Sequence, residues 1–457
     1  MLCFRWIGCP LFAAVAWSSL GGAPIAAQTA WKAGVAKVKI TPEKPMWLAG
    51  YSSRTKPAEG AMHDLWVKAL ALEAADGSRG VVVSADLLGF PKALYEGIIE
   101  RAGKDHGVQR RQVMLTSSHT HSGPALSGAL MDCYPLDDQQ KALIEEYSRQ
   151  LVEKVAGAIG QALAQMAPAT LWRGQGSTDF GVNRRNNGEA EVVKLREQGL
   201  QPKGPSDHDV PVLVVRSPEG PLRAVVFGYA CHSTTLSGYE WSGDYSGFTQ
   251  IALEKEYPGS VAMFYSGCGA DQNPLPRRTV ELCQKYGKML GDAVQEVVGK
   301  PLEPIDSKLQ TAFEFADVGM EGIATPKSLE EQSKDSEIYA RRARRLGALL
   351  EQGEKFPTSY PVPVQVWRLG GQQLWIALGG EVVVDYSLAF KAKYGAQTWV
   401  AGYSNDCMSY IPSERIWKEG RYESNAFFVY GVPADRWAPD IEQKLTAAVD
   451  RLVKGLQ

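Results

Sequence analysis

The chain has 457 residues, 44% of them hydrophobic and 22% charged, a make-up that gives a large core and excludes a disordered or fibrous protein. Its 49 Lys+Arg against 51 Asp+Glu leave a net charge of −2, so no global field favours nucleic acid, which is excluded as a partner.

Residues 1–27 read as a secretory signal. One positive charge at Arg5 precedes an apolar stretch from about Pro10 to Leu20, and small residues run up to Ala27. The apolar part is too short to span a bilayer as a permanent helix, which predicts a secreted or periplasmic protein cleaved near Ala27. Removing Cys3 and Cys9 leaves Cys133, Cys231, Cys268, Cys283 and Cys407, an odd, sparse set that allows at most two disulfides and contains no CxxC pair for a thiolate zinc site.

From Val35 onward, short runs rich in β-branched residues alternate with longer helical patterns. Strands are predicted at Val35–Ile40, Trp66–Ala74 and Gly80–Leu88, then a helix over Lys92–Lys104, a strand at Gln112–Ser118 and a helix over Asp138–Met166. Glu189–Ser206 is charged and then rich in Gly and Pro, so it reads as an exposed loop or insertion. Strands follow at Val210–Ser217, Arg223–Ser233 and Val261–Gly267, with helices over Ser246–Tyr257 and Arg278–Val298. A charged surface helix is predicted over Ser328–Gln352, strands at Pro363–Leu369, Gln373–Gly379 and Thr398–Ser404, and helices over Val382–Lys393 and Pro439–Lys454. The alternation argues for an α/β fold of mixed sheets flanked by helices, and no linker or repeat breaks 28–457 into more than one catalytic unit.

Polar residues gather where the strands end. Gln112–Ser118 runs into His119-Thr-His121, Arg223–Cys231 into His232, Val261–Gly267 into Asp271-Gln-Asn273, Gln373–Gly380 into Glu381, and Thr398–Ser404 into a segment ending at Tyr410. In α/β proteins ligands bind beyond the carboxyl ends of strands, so these tips can converge on one pocket. If extended backbone persists through His119 and His121, both rings share a face, and paired imidazoles suit Zn2+ or a similar ion that takes further ligands from distant sequence, with His232 and Glu381 available. Singly, each residue has a plainer reading: two loop histidines, a satisfied core histidine at 232, a helix-opening acid at 381 and a core tyrosine at 410. No GxSxG, GxxxxGK[ST], HExxH or strand-linked GxGxxG is present, so metal-dependent hydrolysis is the more complete pattern.

The segments "SHTHSGP", "NRR" at Asn183–Arg185, "ACHSTTL", "GDYSGF", "GGE" and "SYIPSERIWKEGRYES" resemble, in order and spacing, the motifs of the neutral (non-lysosomal) ceramidases, secreted zinc amidases that cut the N-acyl bond of ceramide. "ITPEKPMWLAGYSSRTKPAEGAMHDLWVKALAL" is similar to that family's opening, and the likeness runs from about Val35 to the C-terminus. The resemblance implies the family's catalytic fold and one Zn2+ per chain held by His119, His232, Glu381 and Tyr410. It further implies that His121 contacts substrate or shuttles a proton, and that Arg184 and Tyr422 hold and polarise the scissile carbonyl. Where the family reads "GDxSPN" this chain reads "GADQNP", keeping Asp271 but placing Asn273 where the serine is expected. One helix follows Trp437, which leaves no room for the family's immunoglobulin-like C-terminal domain.

The expected activity is hydrolysis of a small-molecule or lipid N-acyl amide, with peripheral contact to membrane lipid allowed and the oligomeric state left open. A zinc-dependent esterase, lactonase or small-amide hydrolase, and a non-catalytic metal-binding surface protein, are the alternatives.

Overall fold

The strand Trp66–Glu73 shows how the core is divided. Its residues alternate between two apolar clusters, Val67, Ala69 and Ala71 facing one and Leu70 and Leu72 the other, as a pleated strand covered on both faces requires. The computed structural model describes residues 31–457, so the signal-like segment, with Cys3 and Cys9, lies outside the described residues.

Trp66–Glu73 sits within a nine-stranded sheet. From one edge the order is Val261–Ser266, Leu222–Tyr229, Asp209–Arg216, Ala167–Ser177, Trp31–Lys39, Trp66–Glu73, Arg79–Ala85 and Val113–Ser117, with Glu303–Ile305 added beside Ala167–Ser177. The two outermost pairs are parallel and the inner ones antiparallel, so the sheet is mixed. A second sheet of five strands runs Trp399–Ala401, Gln373–Leu378, Ser359–Leu369, Leu309–Glu321 and Arg436–Trp437. Trp367, Trp375 and Trp399 of the second sheet join Leu70, Leu72, Val82 and Met114 of the first in one buried cluster. Gly80 makes room for this contact, since a Cβ there would lie 2.7 Å from the Trp367 ring.

Helices flank the sheets as expected, at Lys92–His106, Asp138–Ala164, Asp244–Glu256, Val280–Val298, Val384–Tyr394 and Ile441–Gly455. Elsewhere the expectations need correction. The first strand starts at Trp31, four residues early. The predicted loop at Glu189–Ser206 begins with a helix, Glu189–Glu197, that buries Val192. The predicted helix Ser328–Gln352 is two, Pro326–Gln332 and Glu337–Glu351, the second restarted by Ser336, whose side chain accepts from the amide of Tyr339. Ala167–Ser177 and Leu309–Glu321 are strands that the periodicity does not announce. Cys133, Cys231, Cys268, Cys283 and Cys407 are all buried and free. Among the described residues no helix is long and apolar enough to cross a membrane.

Candidate functional site

The strand Val113–Ser117 stops two residues before the first histidine, and His119 takes φ of 53°, a left-handed turn. The extended backbone therefore does not persist, and pleating is not what brings the two rings together. His119 is turned inward so that its Nδ1 lies 2.6 Å from the carbonyl oxygen of Leu88, while Nε2 sits 3.2 Å from Nε2 of His121.

His232 arrives from the end of Leu222–Tyr229, and its Nδ1 lies 2.7 Å from the carbonyl oxygen of Gly269. Main-chain and side-chain bonds join the two histidine segments: Thr120 bridges Ser233, the amide of His121 donates to the Ser233 carbonyl at 3.2 Å, and the Ser233 hydroxyl donates to the Ser118 carbonyl at 2.8 Å.

Glu381 belongs to a two-residue strand, Glu381–Val382, not to the first turn of the following helix. The strand pairs in parallel with Tyr410–Ile411, which sets Glu381 directly opposite Tyr410. Gly380 before it has φ of 80°, and a Cβ there would lie 2.7 Å from the Ser409 carbonyl oxygen. Glu381 Oε2 lies 3.2 Å from His119 Nε2 and 3.1 Å from His232 Nε2, and Oε1 accepts from the hydroxyl of Tyr430 at 2.6 Å.

With each Nδ1 set against a carbonyl oxygen, the Nε2 atoms of His119 and His232 both point at one carboxylate oxygen. His232 Nε2 and Glu381 Oε2 are buried and without a hydrogen-bond partner. Burial opposes protonation of His232 and His121. Burial and then Arg184 push His232 down to about 4, and burial followed by His119 and His232 holds His121 well below its ordinary value. Burial would raise the Glu381 carboxyl, but His119 and His232 outweigh it and hold it well below the usual carboxylate range.

Converging imidazole and carboxylate donors, two of them buried without a hydrogen-bond partner, are what a cation satisfies. Donor atoms spaced at 3.1–3.2 Å match the separation of about 3.3 Å between neighbouring tetrahedral ligands on Zn2+. The ligand atoms of His119, His121 and His232 all lie within 4.8 Å of one another, so this histidine triad can hold a metal ion, and the contacts of the His119 and His232 Nδ1 atoms with backbone carbonyls are the usual support for such ligands. His121 alone of the three keeps a partly exposed edge.

A second group adjoins the first. Arg184 donates from Nε to Glu423 at 2.9 Å, from Nη2 to the hydroxyl of Tyr410 at 3.3 Å and from Nη1 to Asn273 Oδ1 at 3.5 Å. Tyr422 packs edge-on against Tyr410, the centroids 5.2 Å apart, with Arg184 over its ring at 5.6 Å. Burial opposes the Arg184 charge, but Tyr410 and Glu423 hold its pKa well above the ordinary value.

The structure thus brings His119, His121, His232 and Glu381 to one point and Arg184, Asn273, Tyr410 and Tyr422 to its flank. Asp271 stands one layer out. Its Oδ2 accepts from Asn183 Nδ2 and its Oδ1 from the amide of Val384, both at 2.9 Å, so it ties the Asn183–Arg185 segment to the helix after Glu381. Three residues of the site escaped the sequence reading. Glu423 follows Tyr422 in the quoted "GRYES", where its acid could have been matched to the arginines. Tyr430 lies in the apolar run "AFFVYGV" and Tyr403 at a strand end, its ring tilted against His119 with centroids 4.2 Å apart, and neither carries a local signal.

A model of the family described as neutral/alkaline non-lysosomal ceramidase, N-terminal, matches residues 31–267, more than half of the 457-residue chain. The neutral ceramidase of Pseudomonas aeruginosa is 24% identical over 320 residues, covering 63% of this chain and 45% of that protein, so the match spans less than half of that relative's length. A crystal structure of neutral ceramidase from Pseudomonas aeruginosa matches with a TM-score of 0.71 at 20% identity, over 94% of this chain and 75% of that one. A ceramidase complexed with C2 matches with a TM-score of 0.69 at 21% identity, over 93% and 76%. At these identities the likeness shows the fold, mixed sheets flanked by helices. The family match, which runs through His119, His121, Arg184 and His232, makes this chain a member of the neutral/alkaline non-lysosomal ceramidase family.

Proposed function

We propose that the protein is an exported, zinc-dependent hydrolase of N-acyl amides, with one Zn2+ held by His119, His232, Glu381 and Tyr410. The observation that carries this reading is the meeting of three donor atoms, His119 Nε2, His232 Nε2 and Glu381 Oε2, at 3.1–3.2 Å in a buried site where His232 Nε2 and Glu381 Oε2 have no hydrogen-bond partner. When bound there, a divalent ion lowers the pKa of water and polarises an amide carbonyl.

The chain's own groups do the rest. His121, neutral because burial depresses its pKa, lies beside Tyr51, with ring centroids 4.8 Å apart, and is placed to contact substrate or take and return a proton. Arg184 and Tyr422 donate toward the carbonyl oxygen as negative charge develops on it. Glu423 and Asn273 fix the guanidinium, and Tyr430 fixes the carboxylate of Glu381.

Metal analysis of the purified protein, with activity before and after chelation, tests this function. One zinc per chain and loss of amide hydrolysis on its removal are expected, whereas a metal-free, fully active enzyme would end the proposal. His119→Ala should abolish metal occupancy, whereas His121→Ala should spare metal more than turnover. Asn273, bonded to Arg184 where the family pattern has a serine, favours a second reading in which the same site cleaves an ester or lactone. Matched amide and ester substrates with one acyl chain separate the two.

A further inference from the structure

Beside the candidate site opens a cavity of about 380 Å3 whose wall includes Arg184 and Tyr422 together with Arg185, Arg277 and Arg421. Four arginines line it against two carboxylates, Glu189 and Glu423, so two positive charges stand in excess inside a chain whose net charge is −2. The excess is local, not inherited from composition.

The internal ion pairs show which arginines are committed. Glu423 accepts from both Arg184 and Arg185, and Arg185 also reaches Glu419 at 2.8 Å. Arg277 and Arg421 are left. The carboxylate of Glu189 takes the Arg277 main-chain amide at 2.8 Å, while the Arg277 guanidinium lies 3.7 Å away, long for a charge-assisted bond, and its buried Nε has no hydrogen-bond partner. Arg421 donates to the Arg185 carbonyl oxygen at 3.2 Å and, among the described residues, forms no ion pair. Two guanidinium forks thus face a cavity that starts at the groups proposed to hold the scissile carbonyl. Such forks match the geometry of carboxylate, sulfonate and phosphate.

We propose that the amide taken by this site carries an anionic group on the arm that leaves past Tyr422, and that Arg277 and Arg421 bind that anion. This rests on the amide-hydrolase reading above. It distinguishes the protein from an enzyme tuned to an uncharged amide, because an uncharged arm leaves the Arg421 guanidinium with no carboxylate and that of Arg277 with only the 3.7 Å contact to Glu189.

The test uses the full-length, metal-loaded protein and N-dodecanoyl amides differing only in the amine: glycine (carboxylate), taurine (sulfonate), ethanolamine phosphate (phosphate) and neutral ethanolamine. At least one anionic amide should exceed the neutral one in kcat/KM by about tenfold, the scale of one or two charge-assisted bonds. The preference should shrink with added salt and fall toward unity in Arg277→Gln and in Arg421→Gln. Arg149→Gln removes an equal charge from the exposed face of the helix Asp138–Ala164 and should leave the preference as it is in the parent protein. The order among the three anions identifies the headgroup. Calorimetric titration with the glycine and ethanolamine amides reads binding apart from turnover. Tighter, Arg277-dependent binding of the glycine amide with no amide cleaved would sustain the anion site and sink the hydrolase reading. Equal binding and equal cleavage of neutral and charged amides, unaltered in either arginine variant, would overturn the anion site and leave the hydrolase reading standing.

Discussion

Glu423 holds two arginines with one carboxylate and is 3% exposed. Replacing it by Gln leaves Arg184 and Arg185 facing a neutral amide in a buried setting, and removing one member of a buried pair costs about 3–5 kcal/mol. Glu423→Gln should therefore shift the denaturant midpoint downward and lower kcat, since Arg184 loses the partner of its Nε. Asp406 behaves in the opposite electrostatic sense. Burial lifts its carboxyl to about 7, against the pull of the hydrogen bond it accepts from Tyr360. The folded protein then keeps a proton that the unfolded chain releases near pH 4, so ionisation is penalised in the fold, and this contribution erodes stability as pH rises from about 4 to 7. In Asp406→Asn nothing titrates at this position. The Tm of the variant relative to the parent should be higher at pH 8 than at pH 5, and a pH-independent difference would contradict the assignment.

The strand that delivers Glu381 is two residues long and depends on the glycine before it. Gly380→Ala puts a methyl group against the Ser409 carbonyl and Ile411 at a positive φ, which forces Glu381 away from Tyr410. Metal per chain should fall while far-UV circular dichroism is retained. The helical pair Pro326–Gln332 and Glu337–Glu351 hangs on Arg342, which is 1% exposed and donates to the carbonyl oxygens of Val432 and Ala434. Arg342→Leu strands both acceptors, at about 1–3 kcal/mol each, and should raise hydrogen exchange across 326–351 before the sheets are affected. At this scale the sequence was readable where one period dominates, as in Trp66–Glu73, and opaque where a distant neighbour decides. The strand Ala167–Ser177 contains Gly174 and Gly176 because Val297 packs over both, and a Cβ at Gly174 would lie 2.5 Å from it. Locally those glycines look like breakers. The convergence of strand tips could be read from polar residues following apolar runs, but the left-handed turn at His119 could not, since a single positive φ leaves no periodic trace.

The two sheets share a core in which Trp367 and Trp375 are fully buried. Truncating such a side chain costs about 3–5 kcal/mol, and because the cluster belongs to both sheets, Trp367→Ala should lower one common transition. Near- and far-UV dichroism melts that coincide in parent and variant would confirm this, and separate transitions would refute it. The order of the site along the chain follows from that union. His119 and His232 come from opposite wings of the first sheet and Glu381 from the two-stranded pair that follows Gln373–Leu378 of the second, so no continuous fragment ending before residue 381 holds the complete donor set. Thr120 and Ser233 hold the imidazole-bearing turns together through the peptide backbone itself. Stripping the ion would consequently leave an empty cage with its walls standing, able to be recharged with cobalt or manganese at neutral pH without passing through the denatured chain.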